Sequence, residues 1–89
     1  MTRDELVRAG DQLDHAAETA GGEAGETLAD LADQLRRLAE RDTAPDHGRL
    51  ARIQNHAGDV KGDLEGEAVA AIEDAHDHIN AFRETIEGV

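Results

Sequence analysis

The run Glu73-Asp74-Ala75-His76-Asp77-His78 packs five groups able to ligate a metal or move a proton into six residues. Glu73 and His76 stand three apart, the Glu-x-x-His step that metal-binding helical bundles use. Asp74 and His78 stand four apart, and so do Asp11 and His15 in a distant stretch. If both stretches are helical and face each other, Asp11, His15, Glu73, Asp74, His76 and His78 are the candidate ligands. The set is incomplete. A carboxylate-bridged dimetal site takes two Glu-x-x-His pairs and two further glutamates, and only one pair exists here. His76 and His78 project about 200° apart on a helix and cannot chelate together. With 21 acidic residues and five histidines, pairs at three- and four-residue spacing arise on any solvated face. The reading is therefore no metal and no cofactor.

Asp46, His47, Arg49 and Arg52 invite an acid–base reading, but such a pair needs a pocket that excludes water. A chain with Phe82 as its one aromatic has little material to build it. There is no serine and no cysteine. Serine triads, thiolate chemistry and disulfides are thus excluded. Thr2, Thr19, Thr27, Thr43 and Thr85 lie in no nucleophile motif, and no glycine-rich phosphate loop follows a strand. Arg8, Arg49 and Arg52 are expected to form ion pairs between helices rather than a phosphate site. The sequence reads as a protein that is not an enzyme.

Charge narrows the partners. Twenty-one acids face nine bases, for a formal net charge of −12, and Lys61 is the one lysine. Nucleic-acid binding rests on cations set against phosphates. The best basic patch, Arg36-Arg37 with Arg41, is flanked by Asp33, Glu40 and Asp42. No nucleic-acid partner is expected. No stretch approaches the roughly 20 apolar residues of a membrane span, so no membrane partner is expected either. The N-terminus lacks the apolar run of a signal peptide, which points to the cytoplasm. At low ionic strength such a net charge pushes a small chain apart. In molar salt the Debye length falls to about 3 Å, and the repulsion largely disappears. The composition fits a salt-rich cytoplasm.

The elements that would position these groups are helices. Thr2 and Glu5 are spaced as a capping box. Leu6, Ala9, Leu13, Ala16, Ala17 and Ala20 then follow at three- and four-residue steps, which predicts a helix from Arg3 to Ala20. Gly21-Gly22 ends it. Ala24, Leu28, Leu31, Leu35 and Leu38 form a coiled-coil-like seam in a second helix ending near Arg41 or Asp42. Asp33 with Arg37, and Arg36 with Glu40, are spaced to pair on its exposed face. Pro45 interrupts the chain at its midpoint, and Asp46 is placed to cap a third helix. Leu50, Ile53, Ala57 and Val60 stripe that helix. Gly58 and Gly62 weaken it by about 1 kcal/mol each unless they let a neighbouring backbone come close. A fourth helix is expected from Glu67 to Glu87, with Ala68, Val69, Ile72, Ala75, Ile79, Phe82 and Ile86 on one side.

The hinge segment Pro45-Asp46-His47-Gly48-Arg49-Leu50-Ala51-Arg52-Ile53-Gln54-Asn55 resembles a family of small, acidic, uncharacterised proteins of haloarchaea. The run Leu31-Ala32-Asp33-Gln34-Leu35 and the closing Arg83-Glu84-Thr85-Ile86-Glu87-Gly88-Val89 are similar to it as well. The resemblance implies helical structure and a haloarchaeal cytoplasm. It supplies no activity and no site residues.

The expectation is an all-α protein. It is a single domain over residues 1–89, an antiparallel four-helix bundle or two helical hairpins hinged at Pro45. Hairpin one spans 1–42, the hinge 43–47 and hairpin two 48–89. Small single cores are marginal, so a homodimer that completes the core is expected. The function expected is that of a salt-adapted structural bundle, or one that presents a surface to a protein partner without catalysis. The alternative is a bundle that binds a metal or a small ligand.

Overall fold

The computed structural model describes residues 3–41 and 47–85. They fold into α1 (Arg3–Ala20), α2 (Gly22–Glu40), α3 (His47–Lys61) and α4 (Glu67–Arg83), with no strand among the described residues. The expected capping residues Thr2 and Asp46, the hinge at Pro45, and Ile86 lie outside them.

α1 holds the bundle together. Its stripe of Leu6, Ala9, Leu13 and Ala16 is fully buried, with α2 packed along one side and α4 along the other. The direction of each neighbour follows from its contacts. Arg36 on α2 reaches Asp11 and Asp14 on α1, and Gly25 meets Ala17, so later residues of one helix face earlier residues of the other. On the α4 side Glu5 pairs with His78, and His15 with Glu67. α3 lies against α4 through His47–Arg83 and Gln54–Asn80, and more openly against α2. All four neighbouring pairs are therefore antiparallel, as short connections favour.

The seam of α2 is spent within the chain. Leu28, Leu31, Leu35 and Leu38 are all buried, as are Leu50, Ile53, Ile72, Ile79 and Phe82 from the second half. Each such side chain contributes roughly 1.5–3 kcal/mol on burial. Among the described residues Val7, at 41% exposure, is the one large apolar side chain left open. The thin-core argument for a second copy thus loses its motive in this region.

Two details correct the sequence reading. Close backbone approach occurs at Gly25 rather than at Gly58 or Gly62. A Cβ on Gly25 would stand 2.6 Å from the Ala17 carbonyl oxygen, whereas one on Gly58 meets nothing within 4 Å. The reason is the linkage: Gly21 alone joins α1 to α2, with Gly21 and Gly22 at φ of 67° and 59°, and this draws the two helices tightly together. Second, α4 stops at Arg83 rather than continuing to Glu87. The Thr85 hydroxyl and amide both donate to the Phe82 carbonyl, at 2.6 and 2.9 Å, which turns the chain out of the helix.

Candidate functional site

The residues singled out as ligands are not brought to one point: His15, Asp74 and His78 lie on the α1–α4 face, Asp11 turns to α2, and Glu73 and His76 lie near Lys61 of α3. His78 sets Nδ1 2.6 Å from a Glu5 carboxylate oxygen and Nε2 3.5 Å from Asp74. His15 Nε2 lies 2.8 Å from Glu67. Asp11 accepts from Arg36 Nη2 at 2.9 Å, and Glu73 faces Lys61 at 3.6 Å. His76 is half-buried, and burial first, then the Lys61 ammonium, hold its pKa below the ordinary value against the opposing pull of Asp77 and Glu73. Apart from His76, each group is taken up in its own contact, and no three His, Asp or Glu side chains among the described residues form a metal-sized cluster. Of the acid–base group at the hinge, His47 is likewise engaged, and Asp46 lies outside the described residues. Arg83 Nε donates to His47 Nδ1 at 3.0 Å, and Arg83 Nη1 donates to Gln54 Oε1 at 2.8 Å. Gln54 Nε2 in turn donates to Asn80 at 3.0 Å. This chain of bonds fastens α3 to α4. It makes Nδ1 of His47 the acceptor, so the neutral ring carries its proton on Nε2, a buried atom with no hydrogen-bond partner among the described residues.

The opposite edge of α3 is different. Between α2 and α3 lies a half-open cleft of about 720 Å³. Its walls carry Arg37 and Arg41 from the end of α2, and Arg49 and Arg52 from the start of α3. Buried Leu38 and Ile53 also line it, and Asp30 and Gln34 line its other end. Four of the nine basic residues of a strongly acidic chain thus face one hollow. Like charges across a seam repel, which fits the looser approach of α2 and α3. Arg37, Arg41 and Arg52 are exposed and have no ion-pair partner among the described residues.

The arginines overturn two expectations. Arg36 turns inward to α1, where Nη2 stands 2.9 Å from Asp11 and 2.7 Å from Asp14, and so does not pair with Glu40 on an outer face. Both carboxylates raise its already high pKa, Asp11 most. Arg37 and Arg52, expected in ion pairs, line the cleft instead. Sequence reasoning saw Arg37-Arg41 and Arg49-Arg52 as separate patches with acidic neighbours. The signal available was their near-symmetric placement about the connection between the two helices, since residues equally far from a short connection between antiparallel helices meet across it.

What the arrangement can do is hold an anion. Guanidinium groups present planar forks of N–H donors that match carboxylate and phosphate oxygens. The N-terminal end of α3, through Gly48 and Arg49, adds the positive end of a helix dipole to the same hollow. The described helices include none long and apolar enough to cross a membrane. No curated protein and no solved structure matches the chain. Residues 1–85 match the model of a family of unknown function, DUF7553, and the chain belongs to that family.

Proposed function

We propose that this chain is a non-enzymatic binding protein, a helical bundle adapted to high salt in the cytoplasm, whose working surface is the α2–α3 cleft and whose partner is anionic. The observation that carries the reading is the gathering of Arg37, Arg41, Arg49 and Arg52 around one cavity in a chain of net charge −12. Random placement of nine bases among 21 acids favours neutralised pairs, as at Arg36. Arg37, Arg41 and Arg52 have no ion-pair partner among the described residues, which leaves them available to something outside the chain. Bidentate hydrogen bonding keeps such a site useful in molar salt, where bare Coulomb steering is screened. The expectation of a bundle presenting its apolar seam to a protein had its motive in α2, and that seam is buried within the chain. Of the earlier readings, small-ligand binding has the better support.

The test is NMR titration of isotope-labelled protein in molar KCl with two unlike anions, inorganic polyphosphate and a hexa-aspartate peptide. At least one is expected to shift the amides around Arg37, Arg41 and Arg52. The double substitution Arg37→Glu, Arg52→Glu is expected to abolish the shifts while leaving the far-ultraviolet circular dichroism unchanged. If neither anion touches the cleft, the proposal falls.

A further inference from the structure

Four of the five histidines stand at the two seams of α4, and the seams treat a proton in opposite ways. The seam with α1 sets histidines against carboxylates. His78 lies 2.6 Å from Glu5 of α1 and 3.5 Å from Asp74 of its own helix, and His15 of α1 lies 2.8 Å from Glu67. A protonated ring there completes an ion pair with a group already in place. The seam with α3 sets histidines against cations. On α4 the residues Glu73, His76, Asn80 and Arg83 follow at steps of three and four, so they share one face. Three of them are tied to α3: Glu73 to Lys61, Asn80 to Gln54, and Arg83 to His47 and Gln54. His76 stands one turn from Glu73 and therefore beside the Lys61 ammonium. Burial and Lys61 oppose a proton on its ring, against the weaker pull of Asp77 and Glu73. At the start of α3, His47 Nδ1 accepts from Arg83 Nε at 3.0 Å. A protonated imidazole carries donors on both nitrogens and cannot accept, so a proton there breaks the bond and leaves two cations facing each other. α2 adds Arg37 and Arg41 near that end of α3, and α3 adds Arg49, itself engaged. Glu40 and Glu84, beside Arg41 and Arg83 in the chain, are exposed, and Asp46 lies outside the described residues.

We infer that α3 is released by acid: protonation of His47 and His76 sets like charges face to face across both ends of the α3–α4 seam, while protonation of His15 and His78 tightens the α1–α4 seam. α3 is the element able to respond. It anchors in the core through Leu50, Ile53 and Ala57 alone among its described residues, and its other side meets α2 across the half-open cleft. The direction follows from linkage. In the closed bundle the His76 pKa is held below the ordinary 6.5. Lifting α3 returns the ring to water and removes Lys61, so the open form binds the proton better. Opening therefore gains as pH falls through 6.5, until the closed form's own lower pKa is passed. Release strips the cleft of the wall that carries Gly48, Arg49, Arg52 and Ile53. The chain then lets go in acid of whatever the cleft holds, and the release itself does not rest on what that is.

Native-state amide exchange in molar KCl, with no anion added beyond chloride, tests it. It is run at about pH 7.5 and about pH 5, the latter still above the ordinary carboxylate range. Rates are read as protection factors, which cancel the intrinsic effect of pH on exchange. On acidification α3 is expected to lose protection by about two- to fivefold for each of its two histidine contacts, the range of partly exposed charge pairs, while α1 keeps its own. His47→Asn, which keeps an acceptor for Arg83, and His76→Gln are each expected to remove part of the loss. Together they are expected to abolish it, with circular dichroism at the higher pH matching the parent. In the parent, the ring resonances of His47 and His76 are expected to titrate over the same pH interval as the loss. If α3 protection holds in acid, or falls alike in all four helices, the inference is overturned. It is overturned too if the double variant loses protection as the parent does, or if both rings titrate outside that interval.

Discussion

Arg36 and Arg37 are neighbours in the chain and work on different sides of α2. Arg36 grips Asp11 and Asp14 of α1 at 2.9 and 2.7 Å, and Arg37 lines the hollow shared with α3. Successive helical positions differ by about 100°, enough to send one cation to the scaffold and the next to the candidate site. Arg36→Ala is expected to cost about 1 kcal/mol, since two partly exposed pairs are lost. Arg37→Ala is expected to stay within about 0.5 kcal/mol, as for surface changes generally. Urea unfolding of both variants in molar KCl checks the contrast, and equal losses would deny the division of labour.

The glycine contrast is sharper. Gly25→Ala places a methyl 2.6 Å from the Ala17 carbonyl oxygen, so α1 and α2 must move apart. A loss of about 1–3 kcal/mol is expected from overpacking. Gly58→Ala meets nothing within 4 Å, and is expected to gain about 0.5–1 kcal/mol from helix propensity. Thermal melts of the pair should move in opposite directions.

His76 makes stability depend on pH with a definite sign. Burial and Lys61 lower its folded pKa below the ordinary 6.5. Above that value both folded and unfolded chains carry a neutral ring, and nothing is lost. As pH falls through 6.5 the unfolded chain takes up the proton first, so the folded state loses ground until its own lower pKa is passed. The slope of melting temperature against pH just below 6.5 is expected to be shallower in His76→Gln than in the parent. An unchanged slope would show that the ring titrates alike in both states.

α3 should open first. It buries Leu50, Ile53 and Ala57 alone among its described residues, against six buried positions on each of α2 and α4. Its polar ties to α4 are those of Arg83 to His47 and Gln54, of Gln54 to Asn80 and of Lys61 to Glu73. Amide hydrogen exchange is expected to be fastest in α3, apart from fraying helix ends, and Arg83→Met should raise it there while leaving α1 and α2 protected. Uniform exchange across the four helices would mean that the bundle opens as one unit.

Light scattering behind a sizing column in molar KCl is expected to give the mass of one chain, 9.5 kDa. The apolar stripes of the four helices are closed within the chain among the described residues, and Val7, the one large apolar side chain exposed among them, is too little to hold a second copy. A two-chain mass would restore the homodimer that core size suggested, and place its interface on α1 around Val7.

The helices, their glycine stops and their inward faces were legible in the residues because helical order is local. Leu6, Leu13, Leu28 and Leu35 fall on buried faces by the three- and four-residue spacing alone, and Gly21-Gly22 breaks the chain by its own backbone freedom. The partners of the charged groups were not legible. Nothing around Arg36 in sequence says that Asp11 and Asp14 lie beside it, and nothing around His78 names Glu5, 73 residues away. Those choices depend on how far each helix is rotated about its axis and which neighbour covers it. The close crossing at Gly25 sets both for α1 and α2. For α3 they are set by its bonds to α4, which turn Arg49 and Arg52 toward Arg37 and Arg41. Local periodicity decided which residues go inside, and the packing of four helices decided which charges meet and which line the α2–α3 cleft.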